Sequence, residues 1–89
     1  MERLSKMLEE RGERYGRFVD HAAIAQDLKT AMRLTPAWPD LQADQAEALE
    51  MIQHKVARIL NGDPSYADSW QDIAGYAQLV ADRLQGVAR

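Results

Sequence analysis

Two long stretches in the second half of the chain repeat apolar residues at the spacing of a helix. They run from about residue 41 to 60 and from about residue 66 to 84, with apolar side chains recurring every three or four positions. The break between them contains Gly62 and Pro64; glycine fits the left-handed position that ends many helices, and proline cannot continue one. Because short connections make neighbouring helices antiparallel, residues 40–84 are predicted to form a central α-hairpin.

The first half of the chain carries two shorter amphipathic patterns. Residues 1–11 place apolar side chains on one face and charges on the rest, and Gly12 is predicted to end this helix. A second pattern runs from Asp20, in the role of N-cap, to about Leu34. The whole pattern predicts an all-α fold, in which residues 1–89 form a single domain, a small bundle of about four helices around the hairpin.

Composition narrows the class of protein. A chain of 89 residues buries only a modest core, so oligomerisation, as a dimer or tetramer, would add buried surface. There is no cysteine, which excludes a disulfide framework and a cysteine-based metal site. Without a signal segment or a membrane-length apolar run, the sequence predicts a cytoplasmic protein with no membrane partner. The net charge of −3 argues against nucleic-acid binding, which needs a basic surface, but it allows a small anionic ligand.

Acidic residues of the hairpin suggest a site for a divalent metal. Asp68 and Asp72 are one helical turn apart, so both carboxylates project from one face. With Glu47 or Glu50 from the neighbouring helix they would offer the hard oxygen ligands that Mg²⁺, or Mn²⁺, takes together with substrate phosphates. Acid pairs at this spacing also occur on ordinary solvated helices, and that alternative stays open.

Basic residues could hold the phosphates of a substrate. Lys55 and Arg58 follow the glutamates on the same helix, and Arg14 and Tyr15 precede a glycine in the first loop. Arginine binds phosphate in a bidentate fork and lysine as a point charge. Glu50 and Lys55 point about 140° apart on an ideal helix, so the two must line different walls or belong to different subunits.

Two further residues interrupt the helical patterns. His21 lies within the apolar stripe of the second helix, a position more typical of a core or capping histidine than of a functional one. Gly75 lies on a stripe of the last helix, where glycine costs about 1 kcal/mol relative to alanine. We expect another backbone or a ligand to approach Gly75 closely.

Several segments resemble a small helical domain family of phages and prophages. The resemblance rests on residues 45–64, on residues 68–77 and, upstream, on residues 14–16 and His21. It extends over about residues 10–84. It implies a phage or prophage protein that acts in nucleotide metabolism in the cytoplasm of a bacterial host.

The arrangement K-x-x-R-I followed by D-x-x-x-D-x-x-G-Y more distantly resembles the MazG-like all-α nucleoside triphosphate pyrophosphatases. Those enzymes are helical, oligomeric and Mg²⁺-dependent, and they cleave a nucleotide to its monophosphate and pyrophosphate. The resemblance implies catalytic residues at Glu47 and Glu50, metal ligands at Glu50, Asp68 and Asp72, and phosphate contacts from Lys55, Arg58, Arg14 and Tyr15. The chain departs from the E-E-x-x-E and E-x-x-D motifs of that group, because it has fewer acids and a spacing of four in the second motif.

Three functions are consistent with these patterns. The first is a MazG-like nucleotide pyrophosphohydrolase. The second is a protein that binds a nucleotide without cleaving it, for example to sequester a host defence signal; the reduced set of acids slightly favours this one. The third is an interaction module whose charged faces form subunit contacts. The sequence favours nucleotide handling and leaves catalysis open.

Overall fold

Four α-helices make up most of residues 2–89, the part of the chain that the computed structural model describes. They are α1 (Glu2–Tyr15), α2 (Phe18–Arg33), α3 (Ala43–Asn61) and α4 (Ala67–Leu84), with a short 3₁₀-helix at Trp38–Asp40 between α2 and α3. There is no strand within these residues, so the predicted all-α class and the number of helices are confirmed. None of the helices is both long enough and apolar enough to cross a bilayer, within the same residues.

The central element is α3, which packs against α2 on one side and α4 on the other. Ion pairs of Asp44 with Arg83 and of Lys55 with Asp72 join α3 to α4. The separation between Asp44 and Lys55 equals that between Asp72 and Arg83, so the two helices run antiparallel in a single register. Antiparallel helix pairs occur in many bundles, and the MazG-like form of this hairpin therefore stays a prediction.

The helices meet through small side chains. In the described part of the chain the buried apolar residues are Ala25, Ala48 and Ala57, and alanine lets helix axes approach closely because interaxial distance depends on the side chains at the contact. Leu49 and Leu60 of α3 are large apolar residues, but both are exposed. The core is therefore thin, and much of the apolar surface of the chain faces outward.

Hydrogen bonds join the α1–α2 turn to the α3–α4 turn. The side-chain amide of Asn61 donates to the carbonyl oxygens of Tyr15 (2.9 Å) and Arg17 (3.0 Å). The backbone N–H of Asp63 donates to the carbonyl oxygen of Arg14 at 2.7 Å. The carbonyl groups of Arg14 and Tyr15 lie in the last turn of α1, where they have no partner within the helix. The three bonds together fix the α1–α2 turn on the end of α3.

Two glycines make this contact close. Gly16 has a φ of +76°, and a Cβ added there would lie 2.2 Å from the carbonyl oxygen of Asn61. A Cβ added to Gly62 would lie 2.1 Å from the carbonyl oxygen of Arg14. The prediction of a left-handed Gly62 is wrong, because its φ is −137°; glycine is needed there for space. Gly12 does not end α1 either, since the helix continues past it for another turn.

The connection between α1 and α2 is shorter than predicted. Only Gly16 and Arg17 separate the two helices, and Arg17 takes the N-cap position without a side-chain cap. Asp20 is therefore not the N-cap but a residue of the first turn of α2, where its negative charge is favourable near the helix N-terminus.

Candidate functional site

Three of the charged residues predicted to line a metal and phosphate site form ion pairs: Lys55 with Asp72, and Glu50 with Arg33. The Lys55 ammonium lies 2.9 Å from a carboxylate oxygen of Asp72, and the lysine side chain is only 11% exposed. Glu50 accepts a hydrogen bond of 2.9 Å from Nε of Arg33 in α2. Glu50 and Lys55 thus face opposite flanks of α3, as their separation around the helix predicted.

The predicted metal ligands are not brought together. The register set by Lys55 and Asp72 places Asp68 opposite the end of α3, about nine residues or roughly 13 Å along the axis from Glu50. Glu47 lies still further from Asp68 and is exposed, as Asp68 is. No group of three acidic or histidine side chains within residues 2–89 is arranged to hold a metal ion. Within one chain, Glu50 and Asp68 therefore do not share a site, and binding of Mg²⁺ or Mn²⁺ by these residues stays a prediction.

A different cluster forms where the α1–α2 turn meets α3. It surrounds a cavity of about 550 Å³. The functional side chains lining it are Arg11, Arg17 and Arg58, His21 and His54, and Tyr15 and Phe18. No aspartate or glutamate of the described residues lines this cavity, so its walls combine positive charge with aromatic surface.

Cation–π contacts hold two arginines at this end of the bundle, Arg58 and Arg14. The Arg58 guanidinium carbon lies 4.1 Å from the centre of the Tyr15 ring, and that of Arg14 lies 5.0 Å from the Tyr66 ring. The two tyrosine rings meet edge to face at 6.1 Å, a favourable geometry for aromatic pairs. Two of the four predicted phosphate-binding residues, Tyr15 and Arg58, line the cavity. Arg14 lies against the Tyr66 ring, and Lys55 forms its ion pair with Asp72 of α4.

Two histidines form the inner wall of the cavity. The rings of His21 and His54 meet edge to face with centres 4.6 Å apart, and His21 is only 4% exposed. Burial, and then the positive charge of Arg58, lowers the pKa of His21, and the same two causes lower the pKa of His54 to about 4. Both rings are therefore neutral at pH 7.

The buried Nδ1 atom of His21 has no hydrogen-bond partner among the residues that the structure describes. Buried polar atoms are nearly always paired with protein, water or ligand. His21 was expected to be a core or capping residue, and it is buried as that expectation requires. The ring lines the cavity, but this nitrogen itself is enclosed by the protein.

Sequence reasoning missed Arg11, Arg17, Phe18 and His54 as members of a site. Spacing could have indicated two of them. Arg11 lies four residues before Tyr15, and His54 lies four residues before Arg58, so each pair shares one helix face. The spacing alone does not show that the two pairs face each other. The docking of the two turns through their glycines brings them together.

These features define a small all-helical domain with a basic, aromatic cavity where the α1–α2 turn meets α3. The chain belongs to a family described as a domain of unknown function (DUF6378), whose model matches residues 1–84. No curated protein and no solved structure shows significant similarity to it. None of these comparisons connects the chain with phages or with MazG-like pyrophosphatases, so that origin and that relationship stay predictions.

Proposed function

We propose that the protein binds a nucleotide or a related phosphorylated molecule in the cavity at the α1–α2 turn, without a metal and without cleaving it. The observation that carries this proposal is the convergence of Arg11, Arg17 and Arg58 on one cavity whose described lining contains no carboxylate. Arg17 also lies 3.7 Å from a carboxylate oxygen of Asp20, which is outside the cavity lining; both side chains are exposed, so this ion pair is weak. Elsewhere on the bundle, Arg33 pairs with Glu50 and Arg83 with Asp44.

Guanidinium groups suit the phosphate end of such a ligand. Each can donate two parallel hydrogen bonds to phosphate oxygens, and these charge-assisted bonds are stronger than neutral ones. Arg58 is already held by the Tyr15 ring, so less conformational entropy is lost when it binds an anion. Tyr15 therefore positions Arg58, and the Arg58 guanidinium contacts the phosphate.

Aromatic side chains suit the planar end of the ligand. Phe18 begins α2 at the edge of the cavity and is 78% exposed, although phenylalanine is a large apolar residue. Stacking of a nucleotide base on an aromatic ring contributes about 1–3 kcal/mol to the binding free energy, and it does so for every type of base. The cavity volume of about 550 Å³ lies within the range of roughly 300–1,000 Å³ that is usual for small-molecule sites.

Binding without hydrolysis is favoured over the predicted pyrophosphohydrolase by the position of the acids. Metal-assisted hydrolysis needs carboxylates that hold the ion and orient the attacking water. Asp72 and Glu50 instead form ion pairs on opposite flanks of α3, and neither lines the cavity. A sequestering role, in the predicted phage setting and cytoplasmic location, is consistent with a binding site of this kind.

Calorimetric titration tests the proposal. The purified chain would be titrated in EDTA with a nucleoside triphosphate, with the corresponding nucleoside and with pyrophosphate, and again in Mg²⁺. We expect binding of the triphosphate in EDTA, weaker binding of pyrophosphate, and the weakest binding of the nucleoside.

Two arginine variants locate the binding site. Arg58→Gln is expected to weaken triphosphate binding by roughly 10- to 100-fold, the usual size of a lost charged hydrogen bond. The matched control is Arg83→Gln, which removes the same group from the far end of α4, where it pairs with Asp44, and should bind normally. Binding that requires Mg²⁺, release of pyrophosphate, or equal affinities for the two variants would each contradict the proposal.

A further inference from the structure

Helix α1 exposes an apolar stripe on a helix that is only partly packed on the bundle. None of its described residues is buried, and its contacts with α2 and α3 are few. Leu4, Met7 and Leu8 lie at the spacing of one helix face and are all exposed. Phe18 and Val19, at the start of α2, are also exposed, but they line the cavity and are not counted in this stripe.

The exposed area of the chain is larger than that of a typical monomer. The chain exposes 6401 Å², about 1,100 Å² more than the roughly 5,300 Å² expected for a folded protein of its mass. Its radius of gyration of 15.1 Å also exceeds the value of about 12 Å expected for its length. Because each partner in a standard protein interface buries about 800 Å², the excess corresponds to one such interface per chain.

The charges beside the stripe are complementary to those of a second copy running in the opposite direction. Arg3 and Glu10 are both exposed and lie seven residues apart, so they share one flank of α1. They are about 10 Å apart along the helix axis, too far to pair within one chain. An antiparallel second copy would place Arg3 of each chain beside Glu10 of the other.

We infer that the protein forms a homodimer through antiparallel packing of α1 against α1 of a second copy. Leu4 of one chain would pack against Leu8 of the other, with Met7 near the twofold axis. Every contact occurs twice, as twofold symmetry requires. The dimer needs no ligand, because the apolar stripe and the charges that form it belong to the chain itself.

Sedimentation velocity tests the dimer directly. Without added ligand, the chain is expected to sediment at twice its mass of 10.1 kDa, and Leu8→Ser is expected to weaken self-association by about 100-fold or more, because symmetry removes two apolar side chains at once. Leu79→Ser is the matched control: Leu79 lies on α4 and is 51% exposed, close to the 55% of Leu8, and its variant should remain a dimer. Circular dichroism checks that both variants are helical.

A charge exchange tests the predicted register. Arg3→Glu alone and Glu10→Arg alone should each weaken the dimer, because each puts like charges opposite one another. An equimolar mixture of the two variants should associate as a heterodimer, since all the facing charges are then opposite. A monomeric native chain, an assembly whose size Leu8→Ser leaves unchanged, dissociation by Leu79→Ser, or a mixture that fails to associate would overturn the inference.

Discussion

Helix α3 uses its charged residues in two different ways along its length. In its middle, Glu50 pairs with Arg33 of α2 and Lys55 pairs with Asp72 of α4. At its C-terminal end, Arg58 faces the Tyr15 ring and the two histidines instead. The first region resembles an ion-paired helix surface, and the second is a concentration of positive charge with no acid in its lining.

The difference shows what charge in a sequence can and cannot indicate. In the sequence, both regions are runs of charged residues and look alike. In the structure, the opposite charges of an ion pair attract each other, whereas clustered cations repel each other. Burial, and then the positive charge of Arg58, lowers the pKa of His21 and of His54. Clusters of perturbed groups in a cavity are typical of functional sites, although structural ones also occur.

The largest expected effect comes from the glycine contact that builds the cavity. Gly62→Ala would place a methyl group 2.1 Å from the carbonyl oxygen of Arg14, so the two turns must separate. We expect a loss of roughly 2–4 kcal/mol in the free energy of unfolding, measured by chemical denaturation. Gly75→Ala is the matched control, because nothing lies within 4 Å of the added atom.

The control should be neutral or stabilising by up to about 1 kcal/mol, the usual gain for alanine within a helix. Equal losses in both variants would show that the close contact at Gly62 is not what holds the turns together. The same result would contradict the statement that this contact between the two turns forms the cavity. The expected close approach of another backbone to Gly75 does not occur within the described part of the chain, because nothing lies within 4 Å of the added atom.

The next effect concerns the ion-paired region. Asp72→Asn removes the partner of Lys55, whose side chain is only 11% exposed, and leaves an enclosed charge. We expect a loss of about 1–2 kcal/mol in the free energy of unfolding, with no change in ligand affinity. The predicted metal site gives the opposite result for the same variant: metal-dependent activity is lost while stability is kept.

A second substitution separates the two explanations. Lys55→Met combined with Asp72→Asn removes the enclosed charge as well, so it should recover much of the stability lost by the single variant. Failure to recover would mean that Asp72 stabilises the bundle through something other than its ion pair.

The smallest expected effect is on the pH dependence of stability. His54 has a pKa of about 4 in the folded chain against 6.5 for the free side chain, so the unfolded state binds more protons between these values. Stability should therefore fall as the pH decreases from 7 to 5, by about 1 kcal/mol after allowance for partial exposure, or roughly 5 °C in Tm. His54→Asn should reduce this slope, and a flat profile in the native chain would contradict the account of the histidines.

Periodicity predicted much of the fold because helices depend on local residue spacing. The bounds of α3 and α4 agree with the predicted segments to within about two residues. Gly12 was misinterpreted since a glycine inside a helix and one that ends a helix look alike in a sequence. The turn after α1 is held at Gly16 by its close contact with Asn61, and these two residues are far apart in the chain.

The candidate site was harder to predict because it depends on how helices are aligned. Spacing indicated that Asp68 and Asp72 share a face, because they are one turn apart on α4. It could not show that Lys55 reaches Asp72, which follows only from the register of α3 and α4. His54 faces His21 only because α2 packs beside α3.

Nuclear magnetic resonance of the histidine rings tests the central claim most directly, because the chain contains only two. Both ring signals would be followed against pH, first in the free protein and then with pyrophosphate or a nucleoside triphosphate in EDTA. We expect His54 to titrate near pH 4 when free and at a higher pH with the anion bound, since a bound negative charge favours the protonated ring. Titration curves that the anions leave unchanged would contradict an anion site beside Arg58.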